Sequence, residues 1–255
     1  MKIALITGAS SGLGRDYALA ADRDGIYDEI WVVARRLERL QELELDCRTP
    51  VRPFALDLTE RSAIAVLYGA LEAADCEVGM LVNAAGFAKF GNCDDLTLEE
   101  VDSMIELNCR ALVDLTQVCL KRMGRGGRII QVASSASFIP MPGLNVYAAS
   151  KAFVRSYTRA LRFELRGRGI HTTAVCPVWI KTEFVQVARD TANGQTVKHT
   201  WPQLSSKHVV RWSRLINRIN YPIATCCVTG ALMRIISKVI PDSLMMWMWE
   251  GLRRV

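Results

Sequence analysis

Six short runs rich in Val, Ile and Leu, separated by amphipathic stretches, fill residues 1–180, and this alternation restricts the chain to repeated strand–helix units. The runs at 2–7, 29–34, 51–56, 79–83, 127–133 and 170–176 show little polar alternation, as strands covered on both faces require. Helical stretches are expected from about Gly12, Leu37, Thr59, Thr97, Arg110 and Asn145. The fold class that follows is α/β, a doubly wound parallel sheet in three α/β/α layers. Beyond Thr182 the pattern changes to a polar loop with a short helix, a helix over 205–218, a last strand near 223–228 and an apolar tail from Gly230. No internal repeat or Ser/Gly-rich linker interrupts the chain, so residues 1–255 read as one domain with 183–255 as its substrate loop and C-terminal extension.

With 50% hydrophobic and 23% charged residues, and only 17 Gly and 8 Pro, the composition excludes disorder and fibrous repeats. The eight cysteines form no CxxC pair and the three histidines no zinc spacing, so reduced thiols and no metal are expected. A strand at the very start, with no basic and apolar leader before it, points to a cytoplasmic protein. The net charge of +6 arises entirely beyond residue 182, where ten Lys and Arg face four Asp and Glu. Nucleic acid, an anionic ligand or membrane surface, and a solvated helix face would each account for it. The scatter of these cations among large apolar residues, with no nucleic-acid motif, argues against nucleic acid.

Residues 7–14 read TGASSGLG between the first strand and an amphipathic helix. Gly8 permits a tight turn, Gly12 lets the backbone approach a pyrophosphate and Gly14 lets helix and sheet pack closely. The helix start offers its free N–H groups to the phosphates. Twenty residues beyond Gly14, where a carboxylate would read a ribose hydroxyl, stand Ala34, Arg35 and Arg36. Two guanidinium groups there suit a 2′-phosphate, so the expected cofactor is NADP(H), unless both arginines merely begin a solvated helix.

Tyr147 and Lys151 in YAASK lie four apart on one helix face. An adjacent ammonium favours the phenolate and should lower the tyrosine pKa, which suits the phenol to proton exchange with an alcohol or carbonyl as hydride moves. Ser134 in QVASSAS, with Ser135 as its rival, ends the fifth strand and could hold the substrate oxygen.

In this order, these motifs make the chain resemble a short-chain dehydrogenase/reductase from Met1 to about Thr182. The resemblance implies that Gly8, Ser10, Ser11, Gly12 and Leu13 line the cofactor phosphates and that Asp57 and Leu58 meet the adenine ring. It places Asn83, Ala84 and Gly86 of NAAG along the cofactor as well. Asn108 corresponds to the family's helix asparagine, in a proton relay through water to the lysine. Ser134, Tyr147 and Lys151 match its remaining catalytic residues, and Tyr147 and Lys151 also face the cofactor. PVWIKT resembles the family's PGxxxT element, in which Ile180 and Thr182 would hold the nicotinamide carboxamide. Val178 stands where the family has glycine. The ARR element, with Arg35 and Arg36, resembles the NADP(H)-preferring branch.

The function that follows is oxidoreduction of a secondary alcohol and its ketone. A non-catalytic nucleotide-binding scaffold is the alternative from another class, and would not need both Tyr147 and Lys151. Phe87, Phe90, Phe138, Met141, Trp179, Phe184, Val187 and Trp201 fall in segments expected at the pocket mouth, and an apolar wall suits a lipophilic ketone, with a hydroxysteroid or bile acid preferred and a 3-oxoacyl or other long-chain ketone as the alternative. The resemblance implies a homodimer or homotetramer. In the tail, Pro241 and Asp242 suit a helix start and Arg253 and Arg254 its end. The apolar residues between them could pack on the protein's own sheet, close the substrate site, join subunits or touch a membrane surface.

Overall fold

The computed structural model describes residues 1–192, 194–198, 200 and 203–254, with the backbone alone at 195. Trp201, expected at the pocket mouth, lies outside the described residues. In chain order the first half runs β1 (Lys2–Thr7), α1 (Gly12–Asp24), β2 (Glu29–Ala34), α2 (Leu37–Asp46), β3 (Val51–Ala55), α3 (Arg61–Ala74), β4 (Glu77–Asn83), α4 (Leu98–Ile105) and α5 (Leu112–Leu120). The second half runs β5 (Arg128–Val132), α6 (Asn145–Glu164), β6 (His171–Val175), α7 (Phe184–Arg189), α8 (Ser206–Arg218), β7 (Ile223–Ala224), α9 (Val228–Ile236) and α10 (Asp242–Arg254).

The strands form one parallel sheet of seven in the order β3-β2-β1-β4-β5-β6-β7. Side chains alternate across it. Ala4, Ile6, Ile30, Val32 and Ile130 face the layer of α1, α2 and α8, whereas Ile3, Leu5, Trp31, Val33 and Ile129 face that of α3 and α5. Each large aliphatic side chain buried in this way contributes about 1.5–3 kcal/mol. The direction of winding reverses between β1 and β4, the switch point at whose strand carboxyl ends α/β sheets of this kind place a ligand.

Three local departures from the expected elements have visible causes. The helix expected from Thr59 begins at Arg61 because the Asp57 carboxylate accepts hydrogen bonds from the Thr59 N–H (2.9 Å) and hydroxyl (2.8 Å), holding a turn. The helices expected separately from Thr97 and Arg110 are one continuous rod. Thr97 and Glu100 form a reciprocal cap at its start, and a π-helical turn over Glu106–Ala111 joins α4 to α5. The last strand stops after two residues, because Cys226 adopts φ 64° and Cys227 caps α9 through its thiol.

Candidate active site

At the end of β1 the chain turns through Gly8 and enters α1. Gly8 takes φ +68°, and a Cβ on it would lie 2.8 Å from the Ala85 nitrogen, so conformation and crowding both demand glycine. Its N–H donates to the Val33 carbonyl at 2.9 Å, which seats the loop on β2. The Thr7 hydroxyl accepts from the backbone N–H groups of Ala84 (3.1 Å) and Ala85 (3.0 Å), fastening the loop after β4 to the same spot. No acidic residue occupies the first turn of α1, so its leading N–H groups and positive dipole end are suited to an anion.

Arg36 leans over this loop, donating to the Ser10 hydroxyl (3.1 Å) and to the Glu183 carboxylate (2.8 Å). Its guanidinium, with a hydrogen bond from Ser11, holds the Glu183 carboxyl below its ordinary pKa. Arg35 is exposed and faces Asp57 at 3.7 Å. Thr182 crosses the loop from the other side: a Cβ on Gly12 would meet its methyl group at 2.9 Å. Ile180 pairs with Leu204 in an isolated parallel bridge, which fixes the path of the segment. Val178 is not among the residues with positive φ, so the valine in the family's glycine position costs no backbone strain.

Tyr147 and Lys151 project from the first turns of α6, both buried. The Lys151 Nζ donates to the Val132 carbonyl at 2.9 Å and stands 5.7 Å from the centre of the Tyr147 ring. Burial lifts the Tyr147 phenol to about 12, against a hydrogen bond with Ser134 that pulls it down. The same burial lowers the Lys151 ammonium from 10.5 to about 8. The expected lowering of the tyrosine by the lysine is therefore corrected: burial raises the phenol, and it is the Ser134 hydrogen bond, not Lys151, that opposes the rise. Ser134 reaches Tyr147 and also caps the short turn after β5, accepting from the Ala136 N–H at 3.1 Å. Its rival Ser135 is tied by its backbone N–H to the Pro177 carbonyl at 2.8 Å.

Asn108, fully buried, sits within the π-helical turn. Its amide donates to the Phe87 carbonyl (3.0 Å) and the Ser150 hydroxyl (3.1 Å), and its oxygen accepts from the Phe87 N–H (3.1 Å). Ser150 in turn donates to the Tyr147 carbonyl at 2.7 Å. A Cβ on Gly86 would fall 2.8 Å from the Asn108 oxygen and 3.1 Å from the Lys151 nitrogen, so both groups converge over this glycine.

The Asn83 side chain turns away from the crevice. Its amide donates to Gln131 (2.9 Å) and Thr116 (3.1 Å) in a buried network between β4, β5 and α5. What Asn83 offers a cofactor is therefore its backbone. Leu58 is buried against the α3 layer, while the Asp57 carboxylate is occupied by Thr59 and Arg35. Ala84 is half-buried beside the glycine loop.

Around Tyr147, Phe87, Phe90, Phe138, Met141, Trp179 and Phe184 gather in one apolar group. Phe184 lies 5.5 Å from the Tyr147 ring, and Phe90 meets Trp179 edge-on at 6.0 Å. Val187, expected at the same wall, is exposed and outside the group. Met245 and Trp249 of α10 join this apolar group, and Trp249 donates to the Pro142 carbonyl at 2.9 Å just before α6. Buried Arg253 donates to the Thr196 carbonyl at 3.2 Å and is paired with Glu250. Among the described residues no group of three His, Cys, Asp or Glu is placed to hold a metal ion.

Residues 2–193 match the family model described as short chain dehydrogenase. The chain belongs to the short-chain dehydrogenase family. Sulfoacetaldehyde reductase 2 of Chromohalobacter salexigens is 39% identical over 194 residues, covering 72% of this chain and 75% of that protein. An NADP-dependent 3-hydroxy acid dehydrogenase of Escherichia coli is 34% identical over 200 residues, covering 77% of this chain and 80% of its own. Among solved structures, a short-chain dehydrogenase from Sphingobium yanoikuyae in complex with NADPH superposes with a TM-score of 0.78 at 27% identity, covering 94% of this chain and 97% of that one.

The structure brings Asn108 and Lys151 together over Gly86, and Ser134 into hydrogen-bond contact with Tyr147 one helical turn from Lys151. A dinucleotide fits the cradle on two counts: the turn at Gly8 and the open helix start after Ser11. Two contributors escape sequence reading. Thr7 organises the loop after β4, and Glu183 holds Arg36 from 147 residues away. Only the position of Glu183 directly after Thr182 hints at its role.

Proposed function

We propose that this short-chain dehydrogenase uses NADP(H) to interconvert a lipophilic secondary alcohol and its ketone, with Tyr147 exchanging the proton. The observation that carries the reading is a phenol, a hydroxyl and an ammonium converging inside an apolar wall. Arg35, Arg36 and Ser10 would receive the 2′-phosphate, and the α1 start the pyrophosphate. The cofactor, when bound, supplies or accepts the hydride and adds a positive charge beside Tyr147 in its oxidised form. In reduction, the Ser134 hydroxyl orients the carbonyl oxygen and Tyr147 gives it the phenolic proton. Lys151, protonated at neutral pH, stabilises the phenolate left behind. Asn108 holds the loop bearing Phe87 against α6, so that the proton groups keep their spacing.

A hydroxysteroid, a bile acid or a long-chain ketone such as a 3-oxoacyl compound would suit such a wall. The names of the relatives favour a second reading, a small anionic carbonyl. Against it, two cations in the neighbouring segments are already neutralised, Lys89 by Glu100 (3.5 Å) and Asp190 (3.8 Å), and Arg253 by Glu250. NADPH oxidation over steroids, long-chain ketones, sulfoacetaldehyde and 3-oxo acids decides between them. Turnover confined to the anionic compounds would overturn the lipophilic reading, and turnover undiminished in Tyr147→Phe would remove the phenol from the mechanism. The cysteines are free thiols, which supports a reducing, cytoplasmic setting.

A further inference from the structure

We infer that Arg253, near the end of α10, is a positioning residue that latches together three segments of the apolar wall around Tyr147. Arg253 is only 5% exposed, and a cation buried to that depth is tolerated where its donors are matched. The planar guanidinium fork suits the task. Nε and Nη2 donate to the two carboxylate oxygens of Glu250, one turn back on the helix, at 2.6 and 2.7 Å, which fixes the plane of the group. Its other bonds leave the helix: Nη1 donates to the Thr196 carbonyl at 3.2 Å, and Nη2 to the Asn92 side-chain oxygen at 3.4 Å. The Arg253 carbonyl accepts from the Lys198 N–H at 2.9 Å, a second tie to the same segment. The third segment is the turn before α6. There Gly143 takes φ +77°, and a Cβ on it would lie 2.6 Å from Nη1, so the guanidinium fills the space a side chain would need.

Each segment that meets Arg253 carries part of the wall. Phe90 stands two residues before Asn92, Met141 two before Gly143, and Val197 directly after Thr196, and all three side chains belong to the apolar group around Tyr147. The segments also hold one another: the Gly91 N–H donates to the Gly143 carbonyl at 3.0 Å, and the Phe90 N–H to the Ala188 carbonyl at 2.7 Å. An apolar side chain at 253 could fill the volume, but it would satisfy neither the Thr196 carbonyl nor the Asn92 oxygen. The neighbouring Arg254 makes the contrast. It is exposed, and its ion pair is with the same Glu250. Arg253 therefore sets the spacing of the wall, and a ketone meets a surface already held in shape, so less is lost in ordering it on binding. That consequence rests on the oxidoreductase reading above but not on which ketone is the substrate.

Arg253→Met and Arg253→Lys test the latch, with Arg254→Met as the control. Lysine keeps the charge beside Glu250 and spares the fold, but it has no fork with which to span Asn92, Thr196 and Glu250 together. NADPH oxidation is followed with sulfoacetaldehyde, a 3-oxo acid and 2-decanone as probes. For whichever probe the wild type reduces, both Arg253 variants should raise KM about tenfold, with kcat within about twofold and the NADPH Kd unchanged. A residue serving the fold alone would lower kcat with the folded fraction and leave KM as it was. Amide hydrogen exchange, read by mass spectrometry, should speed up about tenfold or more at Gly91 and Lys198 and stay unchanged in β1. Exchange needs no substrate: if the wild type reduces none of the probes, the oxidoreductase reading falls and the exchange rates still decide the latch. Unchanged exchange at Gly91 and Lys198 would overturn it. So would an unchanged KM in both Arg253 variants, or the same effects in Arg254→Met.

Discussion

The Lys151 ammonium lies 5.7 Å from the centre of the Tyr147 ring and donates to the Val132 carbonyl at the end of β5. That anchor sets where a positive charge meets the phenol. Removing the phenolic proton with Tyr147→Phe should lower kcat by about a hundredfold to ten-thousandfold, as loss of a general acid does. NADPH affinity, read by fluorescence titration, should stay near the wild-type value.

Stability should carry the signature of the buried ammonium. Lys151 titrates at about 8 in the folded protein and 10.5 when free, so between these values the unfolded chain holds more protons and stability rises with pH. Tyr147, raised from 10.0 to about 12, has the opposite effect, but only above its free value. Urea unfolding midpoints for the wild type and Lys151→Met should therefore diverge from about pH 8 to about pH 10, the wild type gaining. Parallel midpoints across that window would contradict the assignment.

Glu183 and a 2′-phosphate would compete for the same guanidinium. Glu183→Gln should tighten NADPH binding and leave NADH unchanged. Arg36→Ala should weaken NADPH by about ten- to a hundredfold, the worth of one charged hydrogen bond or two. Dissociation constants for both coenzymes check the pair, and equal changes for NADH would remove Arg36 from phosphate recognition.

At Gly86 a single methyl group probes the convergence of Asn108 and Lys151. Gly86→Ala places a carbon 2.8 Å from the oxygen of Asn108, whose carboxamide three hydrogen bonds, one of them to that oxygen, already hold in place. Turnover should fall well out of proportion to any change in Tm, because the crowding is aimed at the proton groups. Thermal melts beside steady-state kinetics separate the two effects.

What a sequence reader finds here is what the chain writes locally. The turn from β1 into α1 and the spacing of Tyr147 and Lys151 are set within a few residues, so periodicity and turn chemistry are enough. Choosing Ser134 over Ser135 needed the cap on the Ala136 N–H, a matter of backbone direction at the strand end. The inward turn of Asn83 depends on Gln131, 48 residues on, and the Arg36–Glu183 contact spans 147. The fall of the last strand came from the φ of Cys226, a conformation that no apolar pattern encodes. The pKa of Tyr147 ran against expectation because proximity to a cation was legible and depth of burial was not.

The π-helical turn at Glu106–Ala111 amounts to one surplus residue threaded into an otherwise regular rod. Were the same residues wound as an unbroken α-helix, every residue beyond the turn would be displaced by about 100° around the axis. Leu112, Leu115, Thr116 and Cys119 would then rotate out of the sheet interface, or else Asn108 would lose its grip on Phe87. The surplus residue thus lets a single rod satisfy two incompatible registers, one for the core and one for the amide.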